Sequence, residues 1–321
     1  MAEISWVARA SAADNNWTAV AWSPSLGMFA AVANNGTGNR VMTSPDGITW
    51  TARASAADNS WGAIAWSPEL GLFAAVSSGG VMTSPDGIAW TARAGAASNI
   101  WRAIAWSPSL GLFAAVSVSG TGNRVMTSPD GITWTARASA ANNNWNGLAW
   151  SPELGLFVAV ASTGTGNRVM TSPDGINWTS RNAAREAPWT SVAWSPALGL
   201  FAAVYGDYVM TSADGISWAL APSAHGVIWQ AIAWSPELGL FMAVANSGVG
   251  LRAMSSADGV TWVSHITPAV DRNWYGLAWS PELGLFAAVA QTGTGDRVMT
   301  SYPPYLPPTM FWAAFKGQRE T

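Results

Sequence analysis

The chain has 321 residues, of which 49% are hydrophobic and only 10% are charged, and its formal net charge is −3 at pH 7. The small net charge and the lack of any basic run argue against electrostatic binding to nucleic acid. The chain has no cysteine, which excludes disulfides and thiolate metal sites, and no apolar run approaches the ~20 residues of a membrane helix.

Most of the chain consists of seven copies of one segment. Each copy begins at a tryptophan, termed here the anchor tryptophan, and successive anchors are 44, 40, 44, 44, 40 and 45 residues apart. A strand-rich repeat with a period in the low forties is typical of β-propellers. The anchors are Trp17, Trp61, Trp101, Trp145, Trp189, Trp229 and Trp274.

Each copy predicts four short strands. In the copy that starts at Trp145, a turn SPELG, a loop GTGN and a turn SPDG separate the strands. The two shorter copies lose four residues, both in the loop between the second and third strands, as a surface loop allows. Four strands joined by three hairpins make one propeller blade. The sequence therefore predicts an all-β, seven-bladed propeller of four-stranded antiparallel blades.

The two ends of the repeat array complement each other. The seventh copy stops after its third strand at Ser301, and the N-terminal Ile4-Ser5-Trp6 matches the fourth-strand sequence of the other copies. We therefore expect residues 3–9 to complete the seventh blade and to close the ring. This division gives a propeller domain over residues 1–301 and a Pro-rich apolar tail over residues 302–321.

The turn before the fourth strand carries a recurrent motif, SPDGITW at Ser44–Trp50, with five further copies in register. Its carboxylate can accept hydrogen bonds from turn amides, and its glycine can take a positive φ, so the aspartate is predicted to be structural. The motif resembles the Asp-box of sialidase-type (BNR) propellers, and the repeats resemble recently amplified propeller repeats of bacteria and bacteriophages. The turn aspartates are Asp46, Asp86, Asp130, Asp174, Asp214 and Asp258.

The resemblance raises the alternative of a sialidase-like hydrolase, which needs an arginine cluster, a Tyr–Glu pair and an acid at one site. The repeated arginines instead fall at equivalent positions of different blades, so we expect no enzymatic activity. Two isolated histidines and an oxygen-poor GTGN loop predict no metal site, and no cofactor is predicted. One group of unusual residues in blades five to seven has two interpretations, a degenerate site or loop drift in older copies, and loop drift is favoured: Glu186, Tyr205, Asp207, Tyr208, His225, His265, Asp271 and Tyr275.

Differences among the copies concentrate on one face of the predicted ring, where the interblade connections and the GTGN loops lie. The residue after each anchor tryptophan begins the innermost strand, so these residues should surround the mouth of the central channel. With the anchor tryptophans as an aromatic platform, this face is predicted to bind a glycan or a cell-surface receptor. The alternative is that the anchor tryptophans are buried between blades and that the loops only tolerate drift. The predicted ligand-binding residues are Thr18, Gly62, Arg102, Asn146, Thr190, Gln230 and Tyr275, with Asn15, Asn59 and Asn143 in the connections.

The tail combines two Pro-Pro pairs, which favour an extended path, with an apolar cluster that either folds back over a blade or docks into a partner protein. Docking into a partner such as a virion assembly is favoured. The docking residues are Met310, Phe311, Trp312 and Phe315. The leading hypothesis is a recognition or adhesion module, and the alternative is a purely structural decoration or spike of a phage particle. Because no secretory signal is visible, we expect a virion or extracellular location after release, or alternatively a cytoplasmic one.

Overall fold

The computed structural model describes residues 4–268 and 272–302, and every regular element in these two stretches is a β-strand. The described residues contain no helix long and apolar enough to cross a bilayer. Glu3 and Asp271 lie outside the described residues. So do the predicted docking residues of the tail, which are Met310, Phe311, Trp312 and Phe315.

The chain begins with β1 (Ser5–Arg9). Blade 1 consists of β2 (Trp17–Ser23), β3 (Met28–Ala33), β4 (Val41–Ser44) and β5 (Thr51–Arg53). Blade 2 consists of β6 (Trp61–Ser67), β7 (Leu72–Ser77), β8 (Gly80–Ser84) and β9 (Thr91–Ala94). Blade 3 consists of β10 (Trp101–Ser107), β11 (Leu112–Ser117), β12 (Val125–Ser128) and β13 (Thr135–Arg137).

The same pattern continues around the ring. Blade 4 consists of β14 (Trp145–Ser151), β15 (Leu156–Ala161), β16 (Val169–Ser172) and β17 (Thr179–Arg181). Blade 5 consists of β18 (Ser191–Ser195), β19 (Leu200–Tyr205), β20 (Tyr208–Ser212) and β21 (Ala219–Pro222). Blade 6 consists of β22 (Trp229–Ser235), β23 (Leu240–Ala245), β24 (Ala253–Ser256) and β25 (Val263–His265). Blade 7 contains β26 (Trp274–Ser280), β27 (Leu285–Ala290) and β28 (Val298–Tyr302).

The described strands form seven four-stranded antiparallel sheets, each an up-and-down meander. In the seventh sheet, β1 pairs with β28 in a register that places Trp6 opposite Ser301. The first strand of each blade packs against the first strand of the next, and β26 packs against β2. The predicted seven-bladed propeller, closed by the N-terminal strand, is therefore confirmed.

The core lies between the blades, because the second strand of every blade is apolar on both faces. In β7, Phe73, Ala74, Ala75 and Val76 are all fully buried. The small alanines let neighbouring sheets approach, and the anchor tryptophan fills the gap that remains. Each anchor is at most 1% exposed and belongs to an interblade cluster, as Trp61 does with Ala30 of blade 1 and Phe73 of blade 2.

The SPDG turns share one hydrogen-bond arrangement. In the first, Oδ1 of Asp46 accepts hydrogen bonds from the backbone amides of Ile48 (2.8 Å) and Thr49 (2.7 Å) and from the hydroxyl of Ser44 (3.0 Å). Gly47 has φ +72°, a conformation that favours glycine. Its carbonyl accepts the indole N–H of Trp50 at 3.0 Å, so each of these turns ends on a tryptophan that covers it.

The strand order fixes two dissimilar faces. The SPELG and SPDG turns lie on one face, termed here the constant-turn face. The hairpins between second and third strands lie on the opposite face with the interblade connections, and this is termed here the loop face. The two short hairpins, between β7 and β8 and between β19 and β20, leave the strands intact, as the sequence predicts.

Candidate functional site

The loop face opens into a central cavity of about 490 Å³, termed here the mouth cavity. The three residues that follow the anchor tryptophan of every blade line it, together with Ser162, Pro188, Tyr205 and Ile228 from the hairpins and connections. Every residue that follows an anchor tryptophan is among them: Thr18, Gly62, Arg102, Asn146, Thr190, Gln230 and Tyr275.

In six of the seven blades, these residues lie at a β-bulge. In six blades the register between the first and second strands shifts by one residue directly after the anchor tryptophan, as between Trp17 and Ala19. A bulge re-aims the side chain of the extra residue. The extra residue here is the one at the mouth of the channel, for example Thr18 in blade 1 and Arg102 in blade 3.

The side chains of three of the seven mouth residues form hydrogen bonds to the next blade. The hydroxyl of Thr18 donates to the carbonyl of Trp61 at 2.8 Å, and the hydroxyl of Thr190 donates to the carbonyl of Trp229 at 2.7 Å. Nδ2 of Asn146 donates to the carbonyl of Trp189 at 3.3 Å. In each case the acceptor is the anchor tryptophan of the next blade, so these side chains help to hold the ring together.

The side chains that remain for a ligand are those of Arg102, Gln230 and Tyr275. The Arg102 side chain is exposed, and it forms no hydrogen bond or ion pair with the described residues. Tyr275 accepts a hydrogen bond from Nδ2 of Asn246 at 3.1 Å, which fixes its hydroxyl at the rim. Among the described residues, Arg102 is the only charged side chain that lines the mouth cavity.

The connection asparagines hold the loops of the fold. Asn15 and Asn143 are each 6% exposed, and their Nδ2 atoms donate to the carbonyls of Asn39 (2.8 Å) and Asn167 (2.7 Å) in the GTGN loops. Asn59 is half-buried beside Gly80 in the shortened hairpin of blade 2. None of these asparagines lines the mouth cavity. The predicted aromatic platform is wrong, because the anchor tryptophans are buried between the blades.

The repeated arginines stabilise the blades individually. Nε of Arg53 donates to the hydroxyl of Thr43 at 2.9 Å, and the same bond recurs at Arg9, Arg93, Arg137 and Arg181. Nε of Arg40 donates to the carbonyl of Gly36 at 2.8 Å and so braces its own hairpin, as do Arg124, Arg168, Arg252 and Arg297. Both sets are therefore engaged within the fold.

The acidic groups of the loop face are engaged as well, with one exception. Asp14, Asp58 and Glu186 each accept a hydrogen bond at 2.6–2.7 Å from a glycine amide in the hairpin of the preceding blade. Asp296 forms a two-pronged ion pair with Arg272, at 2.9 and 3.0 Å. Asp207 is the exception: in the described part of the chain, its exposed carboxylate has no hydrogen bond or ion pair.

A second cavity of about 390 Å³ lies beside the mouth cavity, over the short hairpin of blade 5. It is termed here the blade-five notch, and it is lined by Arg185, Glu186, Tyr205, Asp207, Tyr208 and Ser247, with Ala187, Pro188, Gly206, Gly226, Val227 and Ile228. The guanidinium of Arg185 lies 4.2 Å above the ring of Tyr208. Pro188, Tyr205 and Ile228 line both cavities, so the two share a wall.

Four of the unusual residues of blades five to seven thus meet in one place, namely Glu186, Tyr205, Asp207 and Tyr208. His225 is exposed in the adjoining connection, and Tyr275 lines the mouth cavity. His265 lies elsewhere, buried on the outer strand of blade 6 with a ring nitrogen 2.7 Å from the Ser255 hydroxyl. No three His, Asp or Glu side chains of the described residues are grouped as metal ligands.

The six turn aspartates all have lowered pKa values. The backbone hydrogen bond from Thr261, assisted by those from Val260 and Ser256, outweighs burial and lowers the pKa of Asp258 to about 2. For Asp174 burial is the largest single effect and raises the pKa. The hydrogen bonds from Asn177, Ile176 and Ser172 together outweigh burial and bring the pKa to about 2. All six lie in constant-turn-face turns, remote from both cavities.

Comparison with protein-family models and with curated proteins finds no match. Solved structures match over nearly the whole chain. Virginiamycin B lyase from Staphylococcus aureus matches with a TM-score of 0.77 at 9% identity. The match covers 94% of this chain and 99% of the lyase chain. A streptogramin B lyase structure has a TM-score of 0.78 at 8% identity, with coverage of 93% and 97%. A chain of the mitotic checkpoint complex has a TM-score of 0.68 at 16% identity, with coverage of 94% and 95%.

These comparisons and the strand order place the chain in the class of seven-bladed β-propellers. The neighbours differ widely in what they do, and identities of 8–16% show the fold alone.

Proposed function

We propose that the protein is a non-enzymatic recognition module that binds a glycan, or a glycan-bearing surface receptor, through its loop face. The observation that carries this proposal is the composition of the mouth cavity. The invariant parts of the repeat build the ring, and the mouth residues that the ring leaves free are the dissimilar Arg102, Gln230 and Tyr275. A rigid scaffold that presents variable polar groups in one concavity is the usual form of a binding site.

The chemistry of the cavity favours an acidic sugar. An exposed guanidinium without a counter-ion presents up to five N–H donors in a planar fork, which suits a carboxylate. Gln230 and the fixed hydroxyl of Tyr275 add neutral hydrogen-bonding groups to the lining of the same cavity. A ligand with one negative charge and several hydroxyl groups would satisfy all three.

A sialidase-like hydrolase is the enzymatic alternative. Such a site needs two carboxyl groups flanking the scissile bond, and no Asp or Glu of the described residues lines the mouth cavity. The lyases with the same fold raise a different possibility, but fold does not carry chemistry at 8–9% identity. The binding proposal requires only the groups that the cavity contains.

The wider setting is proposed from the sequence alone. The SPDG turns resemble Asp-boxes, and the repeats resemble amplified propellers of bacteria and bacteriophages, which favours a place on a phage particle or an extracellular surface. Docking through the apolar tail, at Met310, Phe311, Trp312 and Phe315, belongs to this proposal. A purely structural virion decoration is the alternative, and in that case the mouth cavity would bind no ligand.

A glycan array that includes acidic and neutral oligosaccharides tests the proposal. The wild-type chain is compared with Arg102→Gln and with Ser109→Ala, a matched control on the exposed constant-turn face of the same blade. We expect acidic glycans to bind, Arg102→Gln to lose about tenfold or more in affinity, and Ser109→Ala to bind like wild type. The proposal fails if no glycan binds, or if Arg102→Gln binds as well as wild type.

A further inference from the structure

We infer that the blade-five notch is a second binding subsite, which takes a neutral sugar unit adjacent to the acidic unit in the mouth cavity. This inference rests on the proposed glycan binding and extends it, because it specifies an oligosaccharide rather than a single sugar. It starts from Asp207, whose carboxylate alone among the described acidic groups is not engaged by the fold.

The shape of the notch follows from a short hairpin. Blade 5 joins β19 to β20 through Tyr205-Gly206-Asp207-Tyr208, where most blades have a loop four residues longer. The shorter loop leaves open the space that forms the 390 Å³ cavity. Blade 2 has a hairpin of the same length, Ser77-Ser78-Gly79-Gly80, so the shortening alone does not account for the two tyrosines and the aspartate.

The notch offers a ligand one negatively charged group, Asp207, and one positively charged group, Arg185. Glu186 is neutralised by Arg168, at 2.6 Å, and also accepts the amide of Gly166 at the same distance. The guanidinium of Arg185 lies over the ring of Tyr208 and lines the notch. A site with one free carboxylate and one guanidinium is close to neutral, and it suits a ligand whose hydroxyl groups both donate and accept.

Tyrosine and aspartate together fit the two kinds of surface on a sugar. Sugar hydroxyls donate to a carboxylate in charge-assisted hydrogen bonds, and the C–H face of the ring packs on an aromatic side chain. Tyr205 lies in the wall common to both cavities, so a single saccharide chain can pass over it from the mouth cavity to Asp207. The geometry therefore selects a chain of at least two units, acidic at the centre and neutral toward the rim.

Isothermal titration calorimetry with two acidic oligosaccharides, 3′-sialyllactose and a hyaluronan tetrasaccharide, tests the inference. Each is compared with its acidic monosaccharide, N-acetylneuraminic acid or glucuronic acid. We expect one of the oligosaccharides to bind about tenfold or more tightly than its monosaccharide, since the notch adds hydrogen bonds to a charged group. Asp207→Asn should remove most of this difference and leave monosaccharide binding unchanged.

A second variant replaces the blade 5 hairpin with that of blade 2, by Tyr205→Ser, Gly206→Ser, Asp207→Gly and Tyr208→Gly. The ring already accommodates that sequence at the same length, so the variant should fold and should behave like Asp207→Asn. If neither oligosaccharide binds, the proposed function fails and this inference fails with it. If an oligosaccharide binds no more tightly than its monosaccharide, or if both variants retain its full affinity, only the notch is excluded.

Discussion

The indole Nε1 of Trp194 donates a hydrogen bond to Oε2 of Glu153, 2.6 Å away, across the boundary between blades 5 and 4. The glutamate belongs to an SPELG turn and the tryptophan to the innermost strand of the next blade. The same pair joins Glu69 to Trp106, and it recurs between Glu237 and Trp279 and between Glu282 and Trp22.

The pattern fails where the turn lacks a glutamate. Blades 1, 3 and 5 carry Ser25, Ser109 and Ala197 at this position. The tryptophans that would face them in the following blades all have a buried indole nitrogen without a hydrogen-bond partner: Trp66, Trp150 and Trp234. An unsatisfied buried donor is destabilising, so we expect these three interfaces to be weaker than their neighbours.

We therefore expect Ser109→Glu to stabilise the protein by about 1–2 kcal/mol, because it supplies Trp150 with a charged acceptor. Urea unfolding at neutral pH measures the change. Ser109→Ala is the control and should remain within about 0.5 kcal/mol of wild type, since the serine is exposed. A Ser109→Glu variant no more stable than Ser109→Ala would contradict this account of the interface.

Ring closure predicts a second stability effect at the N-terminus. Trp6 is 5% exposed in β1 and packs in the same cluster as Phe286 and Trp274 of blade 7. We expect Trp6→Ala to cost about 3–5 kcal/mol, as large-to-small core substitutions do. Thermal and urea unfolding check this value. The adjacent Ser5→Ala, at an exposed position of the same strand, should change stability by less than about 0.5 kcal/mol.

The fold could be predicted from the sequence because the repeat provides several versions of each position. Residues that stay constant in all copies mark turns and cores, and the missing fourth strand of blade 7 has its counterpart at Ile4-Ser5-Trp6. The candidate site was predictable only in part. The sequence locates the set of mouth residues from Thr18 to Tyr275, but the hydrogen bonds to the next blade decide which of those side chains are occupied.

The sequence also contains a signal that identifies the connection asparagines as structural. The connection asparagines occur with a partner asparagine in the hairpin: Asn15 with Asn39, Asn99 with Asn123, and Asn143 with Asn167. In blade 7 both positions change together, to Arg272 and Asp296, and form an ion pair. Paired replacement between copies indicates a contact, and it marks these positions as structural. The sequence gives no such signal for the Glu–Trp hydrogen bonds. These bonds depend on the distance between adjacent blades, which the sequence does not show.

The mouth residues that link blades predict an effect on stability rather than on ligand binding. Thr190→Val keeps the shape of the side chain but removes the hydroxyl that bonds the Trp229 carbonyl, so it should cost about 1 kcal/mol. Thr190→Ser retains the hydroxyl and should restore that bond. Urea unfolding of both variants measures the difference. If Thr190→Val proves as stable as Thr190→Ser, the interblade role of this hydroxyl is refuted.

The turn aspartates predict acid sensitivity. Turn hydrogen bonds lower the pKa of Asp258 from 3.8 to about 2, and that of Asp174 to the same range. A carboxyl group whose pKa is lower in the folded state stabilises that state above its unfolded pKa. The stabilisation is lost as the pH falls through the folded pKa, so the free energy of unfolding should decrease from about pH 4 to about pH 2.

Asp258→Asn isolates the contribution of one turn. The amide keeps an oxygen to accept the Thr261 and Val260 amides but loses the negative charge, so the variant should be less stable than wild type at pH 7. Its stability should then approach that of wild type as the pH falls toward 2, because the wild-type carboxylate becomes protonated. Urea unfolding midpoints at half-unit pH intervals measure both curves. Parallel curves over this range would contradict the prediction, since they would show that the charge of Asp258 does not stabilise its turn.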